Sequence, residues 1–196
     1  MTGRLVTVEG IDGAGKTTLI TGLAAHLNAT VLREPGGVEL SERIRALVAD
    51  PQLHVDARAE ALLYAAARAQ LVAERLKPLL DAGETVLLDR FVDSSLAYQG
   101  GGRELGIEEI RALNAFATNA VKPDRTILLR IDPKLGLERI AGREADRLES
   151  AGNEFFERVA RAYDELAAAE PLRFVVVDAN QPPEAVLAAA IQGLDQ

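Results

Sequence analysis

Residues Gly10-Ile11-Asp12-Gly13-Ala14-Gly15-Lys16-Thr17 fit G-x-x-x-x-G-K-[ST], a spacing suited to holding a polyphosphate. The glycines let the backbone curl so that successive N–H groups face one anion, and the helix that follows adds partial positive charge at its N-terminus. Lys16 is placed to reach the β- and γ-phosphates, and Thr17, followed by Thr18, to ligate magnesium. A second group stands at Thr85-Val-Leu-Leu-Asp89-Arg90, where an apolar run ends in a carboxylate and a guanidinium. Asp89 suits a magnesium ion held through water, and Arg90 suits a second anion gripped bidentately.

These groups need a scaffold that brings strand ends to one edge. Apolar runs at Leu5 to Val8, Thr30 to Leu32, Thr85 to Leu88, Thr126 to Ile131 and Phe174 to Val177 alternate with longer Ala/Leu/Glu/Arg-rich segments. None of the runs alternates polar with apolar, so the expected fold is α/β, a mainly parallel five-stranded sheet with helices on both faces. Asp132-Pro133 and Gln181-Pro182-Pro183-Glu184 mark helix starts, and residues 57–77 read as one long helix ending near Pro78. With no repeat or linker, the 196 residues read as a single domain with polar or glycine-rich loops at Glu34 to Val38, Gln99 to Arg103 and Gly142 to Asn153.

Composition removes several classes. There are 30 acidic against 22 basic side chains, a formal charge of -8, which argues against nucleic acid as a partner. Cysteine is absent, so disulfides and thiolate chemistry are excluded. The first strand-like run begins at Leu5 with no signal-peptide core before it, and no run of membrane-spanning length occurs, so a cytoplasmic protein without a membrane partner is expected. The base-reading N-K-x-D of GTP switches is missing, as is a D-x-x-G after the phosphate loop.

Three further strings follow in order: Arg33-Glu-Pro-Gly-Gly37, Leu62-Leu-Tyr64-Ala-Ala-Ala-Arg68-Ala-Gln70, and Asp89-Arg90-Phe-Val-Asp-Ser-Ser95-Leu-Ala-Tyr98-Gln99-Gly100. Together with Glu9 to Thr18 they resemble thymidylate kinase, over essentially the whole chain. The resemblance implies a P-loop nucleoside monophosphate kinase fold that phosphorylates dTMP to dTDP with ATP and Mg2+. It implies that Tyr64 stacks on thymine, a role a flat ring suits, and that Arg68, one helical turn on, reads O4. It assigns Arg45 and Arg90 to the dTMP phosphate and Asp12 to the neighbourhood of the 3'-hydroxyl. Ser95, Tyr98 and Gln99 then line base and sugar, and Pro35 shapes the loop beside them.

In this family a basic residue approaches the ATP phosphates from the P-loop or from a mobile lid. Here the P-loop position is Gly13, which leaves Arg139, Arg143 and Arg147 in the string Glu138 to Glu149, running into a lid at about 142–153 and resembling the bacterial lid-arginine variety. The resemblance also implies a homodimer through helix 57–77. The nearest rival is a deoxynucleoside kinase, and a more distant one is a non-catalytic P-loop nucleotide-binding module. A 5'-hydroxyl needs a general base, whereas a phosphate monoester is already anionic near neutrality and needs arginines, so Arg45 and Arg90 favour the monophosphate.

Overall fold

A computed structural model describes residues 3–142 and 147–195. In chain order the elements are β1 (Arg4–Glu9), α1 (Lys16–Leu27), β2 (Thr30–Arg33), α2 (Glu39–Ala49) and α3 (Ala57–Leu71). A π-helical turn (Val72–Leu76) joins α3 to α4 (Lys77–Asp81), followed by β3 (Thr85–Asp89) and α5 (Val92–Ser95). A second π-helical stretch (Leu96–Gly102) precedes α6 (Ile107–Ala117), β4 (Arg125–Arg130) and α7 (Pro133–Ile140). A short 3-10 turn (Glu149–Ala151), α8 (Asn153–Ala169), β5 (Phe174–Asp178) and α9 (Pro183–Leu194) complete the described chain.

The strands form one all-parallel sheet in the order β2-β3-β1-β4-β5. Both faces of the central strands β1, β3 and β4 are covered, which explains their uninterrupted apolar runs, whereas Val31 and Val176 on the edge strands stay exposed. Side chains alternate between faces: Val6 and Val8 join Leu23, Ile127 and Phe156 in one apolar cluster, whereas Leu5 joins Leu71, Leu76 and Leu88 in the other. β1 lies centrally, where the connection to β2 runs one way and the later crossover to β4 runs the other. That divergence opens the crevice at the C-terminal strand ends where such sheets bind ligands. The register sets Asp89 beside Val8 on one side and beside Arg33 on the other.

Local signals start the helices as read. Asp132 accepts a hydrogen bond from Lys134 N at 2.8 Å ahead of Pro133, and α9 begins at Pro183. Two expectations change. The helix expected to stop near Pro78 runs on to Asp81, because Lys77 N–H reaches back to Val72 O and this wider π turn accommodates a residue with no N–H to give. Gln99 to Arg103, expected as a loop, is mostly the second π-helical stretch. Its glycines serve close packing: a Cβ on Gly101 would stand 2.6 Å from the Ala162 Cβ, and one on Gly102 2.6 Å from the Phe155 ring, so α8 can approach. Among the described residues no helix is long and apolar enough to cross a membrane.

Candidate active site

The loop between β1 and α1 has the left-handed turns its glycines allow, and Lys16 folds back over it. Lys16 Nζ donates to Gly10 O at 3.1 Å and Ile11 O at 3.0 Å, and Asp12 lies 3.9 Å away. Burial, then the neighbouring Arg90, lower the ammonium to about 8 against the pull of Asp12, Asp89 and Glu9. A polyphosphate would replace the two loop carbonyls with better partners for a cation. Thr17 and Thr18 are exposed at the start of α1. Asp89 Oδ1 is buried with no hydrogen-bond partner among the described residues, an orphan acceptor that fits a hydrated cation at this strand end. Gly13 has φ +78°, and a Cβ there would stand 2.0 Å from the Gly136 carbonyl of α7. A basic side chain is therefore sterically excluded from that loop position.

Beside the loop lies a cavity of about 170 Å³ lined by Asp12, Pro35, Arg45, Tyr64, Arg68, Arg90, Ser95, Tyr98 and Gln99, with Glu34, Val48, Ala49, Ser94 and Leu148. Every residue that the resemblance placed around the acceptor is thus on one wall or another of the same space. The P-loop end is held by Arg90, whose Nη2 donates to Asp12 Oδ1 at 2.7 Å and to Tyr98 Oη at 3.2 Å, while Nη1 donates to Gly10 O and Ser94 Oγ. Its guanidinium also sits over the Tyr98 ring, 5.0 Å from the centroid. Burial pushes the Asp12 carboxyl up, but Arg90, Lys16 and the Tyr98 hydroxyl outweigh it and hold the group at about 2. Arg45 is exposed at the rim and donates to Pro35 O at 3.3 Å.

At the other end Arg68 is 2% exposed. It donates from Nε to Glu34 Oε2 at 2.6 Å, from Nη1 to Ser95 Oγ and Asn114 Oδ1, and from Nη2 to Phe91 O. Four of its five N–H groups are committed among the described residues, leaving one on Nη2. Tyr64 lies one turn earlier on α3, on the same face.

The three arginines considered for the lid separate. Arg143 lies outside the described residues. Arg139, exposed on α7, donates to Ala179 O at 3.1 Å and Gly13 O at 3.5 Å, beside the phosphate loop. Arg147 turns the other way: its Nε donates to Val48 O at 2.9 Å and its Nη2 pairs with Glu60 at 2.7 Å.

A phosphate loop, a neighbouring cleft with Arg90 against the loop and Tyr64 on its wall, and a 2-3-1-4-5 parallel sheet form one arrangement. The thymidylate kinase family model matches residues 8–190. The chain belongs to that family. It is 52% identical over 198 residues to a thymidylate kinase of Bifidobacterium longum strain DJO10A, covering 96% of each chain. It is 50% identical over 188 residues to one of Deinococcus radiodurans, covering 93% of this chain and 91% of the relative. A crystal structure of thymidylate kinase from Ehrlichia chaffeensis superposes with a TM-score of 0.83 at 29% identity, covering all of both chains. The fold is accordingly the P-loop nucleoside monophosphate kinase fold.

Beyond the thymidylate kinase motifs, the structure adds carboxylates that sequence reading passed over. Glu34 sits between Arg33 and Pro35 of a quoted string, and Glu60 precedes Tyr64 and Arg68 by one and two helical turns, so helical spacing alone could have found it. Glu9 ends β1 fully buried and accepts from Phe91 N, Ser94 Oγ and Tyr163 Oη at 2.6–2.9 Å, which fixes the turn after Asp89. Burial, then Asp93, raise Glu9 to about 7, and burial raises Glu34 to about 7 against the pull of Arg68.

Raised folded values mean that the native state holds these protons more tightly than the unfolded chain does. The resulting stabilisation is complete below the ordinary carboxylate range near 4.5 and is lost as pH rises through about 7. Chemical unfolding followed from pH 5 to 8 should show stability falling with pH, and Glu9→Gln should flatten that slope. An equal slope in the variant would contradict the assignment.

Proposed function

We propose that the chain transfers the γ-phosphoryl group of ATP to dTMP, giving dTDP, within a single domain that segment 142–153 closes as a lid. The observation that carries the reading is a cavity in which Arg90, bonded to Gly10 O and Asp12, stands at the phosphate loop and Arg45, Tyr64, Arg68 and Gln99 line the remaining walls. Its length runs from an anion site to a base site, the order of groups in a nucleoside monophosphate.

The chemistry asked of the protein is placement and charge. A phosphate monoester with its second pKa near 6 is already a nucleophile, so no general base is needed. Asp12, the carboxylate at the loop end, is tied to Arg90 and Tyr98 and held at about 2, a poor proton acceptor. This favours dTMP over thymidine. Arg90 and Arg45 attract the acceptor phosphate, Lys16 and the loop N–H groups hold the donor phosphates, and both sets are preorganised before charge moves. Thr17, and Asp89 through water, would hold a magnesium ion. That ion would neutralise charge on the transferring group. Arg139 on α7 would add positive charge there, as the family resemblance implies for Arg143, and Arg147 would join them only on leaving Glu60.

The same proposal includes a cytoplasmic setting and a homodimer through residues 57–77. Leu62 on α3 is 58% exposed, and Phe116 on α6, which packs beside α3, is 89% exposed. Sedimentation at micromolar concentration should give twice the chain mass, and a single-chain mass would contradict the dimer. The activity is tested by ADP release across the deoxynucleoside monophosphates. dTMP should give the highest kcat/KM, and Lys16→Ala should lower kcat at least about a hundredfold with the fold retained. No ADP release with dTMP, or near-normal turnover in the folded variant, would sink the reading.

A further inference from the structure

Glu60 is 0% exposed on α3, and the reaction as described involves it only as the partner that Arg147 leaves. Its Oε1 accepts from Gln99 Nε2 at 2.9 Å and Arg103 Nε at 3.3 Å. Its Oε2 accepts from Arg103 Nη2 at 3.0 Å and pairs with Arg147 Nη2 at 2.7 Å. Two guanidinium groups supply the countercharge a buried carboxylate requires. A carboxylate so paired offers acceptors only. The orientation of a glutamine amide follows from its hydrogen-bond partners, so Gln99 must turn its NH2 toward Glu60. The carbonyl Oε1 is then the polar atom that Gln99, a cavity-lining residue, has left for the cleft.

A second polar group of that region is complementary. Arg68 keeps one N–H uncommitted among the described residues, so an acceptor from Gln99 and a donor from Arg68 stand among the polar groups of the cleft, beside Ser95 and the buried, unpartnered Glu34 Oε1. A pyrimidine with a ring N–H next to a carbonyl, as thymine has at N3 and O4, meets both. Cytosine, with a bare N3 next to an amino group, sets acceptor against acceptor and donor against donor, a mismatch that leaves buried groups unpaired. We propose that Glu60 is a positioning residue that sets acceptor-base preference by locking the Gln99 amide, with its carbonyl left to the cleft. The inference rests on the acceptor reading above, and it assigns to Glu60 a selectivity role exerted through Gln99.

The test is kcat/KM for dTMP and for deoxycytidine monophosphate in the native protein, Glu60→Gln, Gln99→Met and the double variant. An amide in place of the Glu60 carboxylate could donate as well as accept, so the Gln99 amide is freed to turn. Glu60→Gln should cut the preference for dTMP by about tenfold or more, chiefly through KM for the acceptor. In the Gln99→Met background the same substitution should leave the preference where it was. An equal loss for both acceptors, which a merely structural role gives, would overturn the proposal, as would an equal change of preference in the Gln99→Met background.

If Glu60→Gln does not fold, Glu60→Asp keeps the charge for Arg103 and Arg147 while withdrawing the acceptor from Gln99. It should lower the preference likewise, and an unchanged preference overturns the proposal. If the native protein phosphorylates neither acceptor, the functional reading fails by itself. The lock is then read by NMR of the Gln99 side-chain amide: slow hydrogen exchange in the native protein that is lost in the Glu60 variant supports it, and fast exchange in the native protein overturns it.

Discussion

The ion pair between Asp12 and Arg90 joins the phosphate loop to the acceptor cleft, and the geometry of both depends on it. The two residues come from the turns after β1 and β3, neighbouring strands whose register sets Val8 beside Asp89. Arg90 adopts φ +66°, an uncommon conformation for a residue with a side chain, costing on the order of 1–3 kcal/mol. Its N–H bond to Val8 O, the Phe91 N–H bond to Glu9, and the pairing with Asp12 offset that cost. With side chains 16% and 25% exposed, neither partner can be removed without leaving a largely desolvated charge. Arg90 is thus a bridge before it is an anion clamp. Removing it would disturb the loop as well as the acceptor.

A related constraint governs where positive charge reaches the transferring group. Gly13 is pressed against Gly136, so α7 docks directly on the loop and no side chain fits between them. Positive charge additional to Lys16 is then offered from α7 itself, where Arg139 donates to Gly13 O and Ala179 O. Arg147 is held by Glu60 and by carbonyls at the end of α2, so its contribution to phosphates requires an exchange of partners. Glu60 in turn holds Gln99 on the cleft wall. One buried carboxylate therefore connects Arg147 to the cleft wall at Gln99.

Much of this was legible from residue order. Continuous apolar runs imply strands covered on both faces, and the phosphate loop could be placed because its spacing follows such a run and precedes helix-spaced leucines. The cleft residues were legible through resemblance rather than spacing, since Arg45 on an exposed helix face carries no local signal. What escaped was pairing across distance. Glu34 with Arg68, Glu60 with Arg103 and Arg147, and Glu9 with Tyr163 are separated by 34 or more residues, and a buried carboxylate looks like a surface one until its partners are known. The π-helical turns escaped for a similar reason. Local propensity favours an ordinary helix or a glycine-rich loop, whereas the first wide turn accommodates Pro78 and the second is selected by packing against α8.

The central claim is that the cleft is built for an acceptor that already carries its phosphate. The direct measurement is kcat/KM for ATP-dependent phosphorylation of dTMP and of thymidine by the unmodified protein. Thymidine lacks the dianion that Arg45 and Arg90 face, and Asp12 is too firmly ion-paired to take its hydroxyl proton. dTMP should be favoured by at least about two orders of magnitude, the worth of one or two charge-assisted hydrogen bonds. Equal handling of the two acceptors would contradict it and would favour a nucleoside kinase instead.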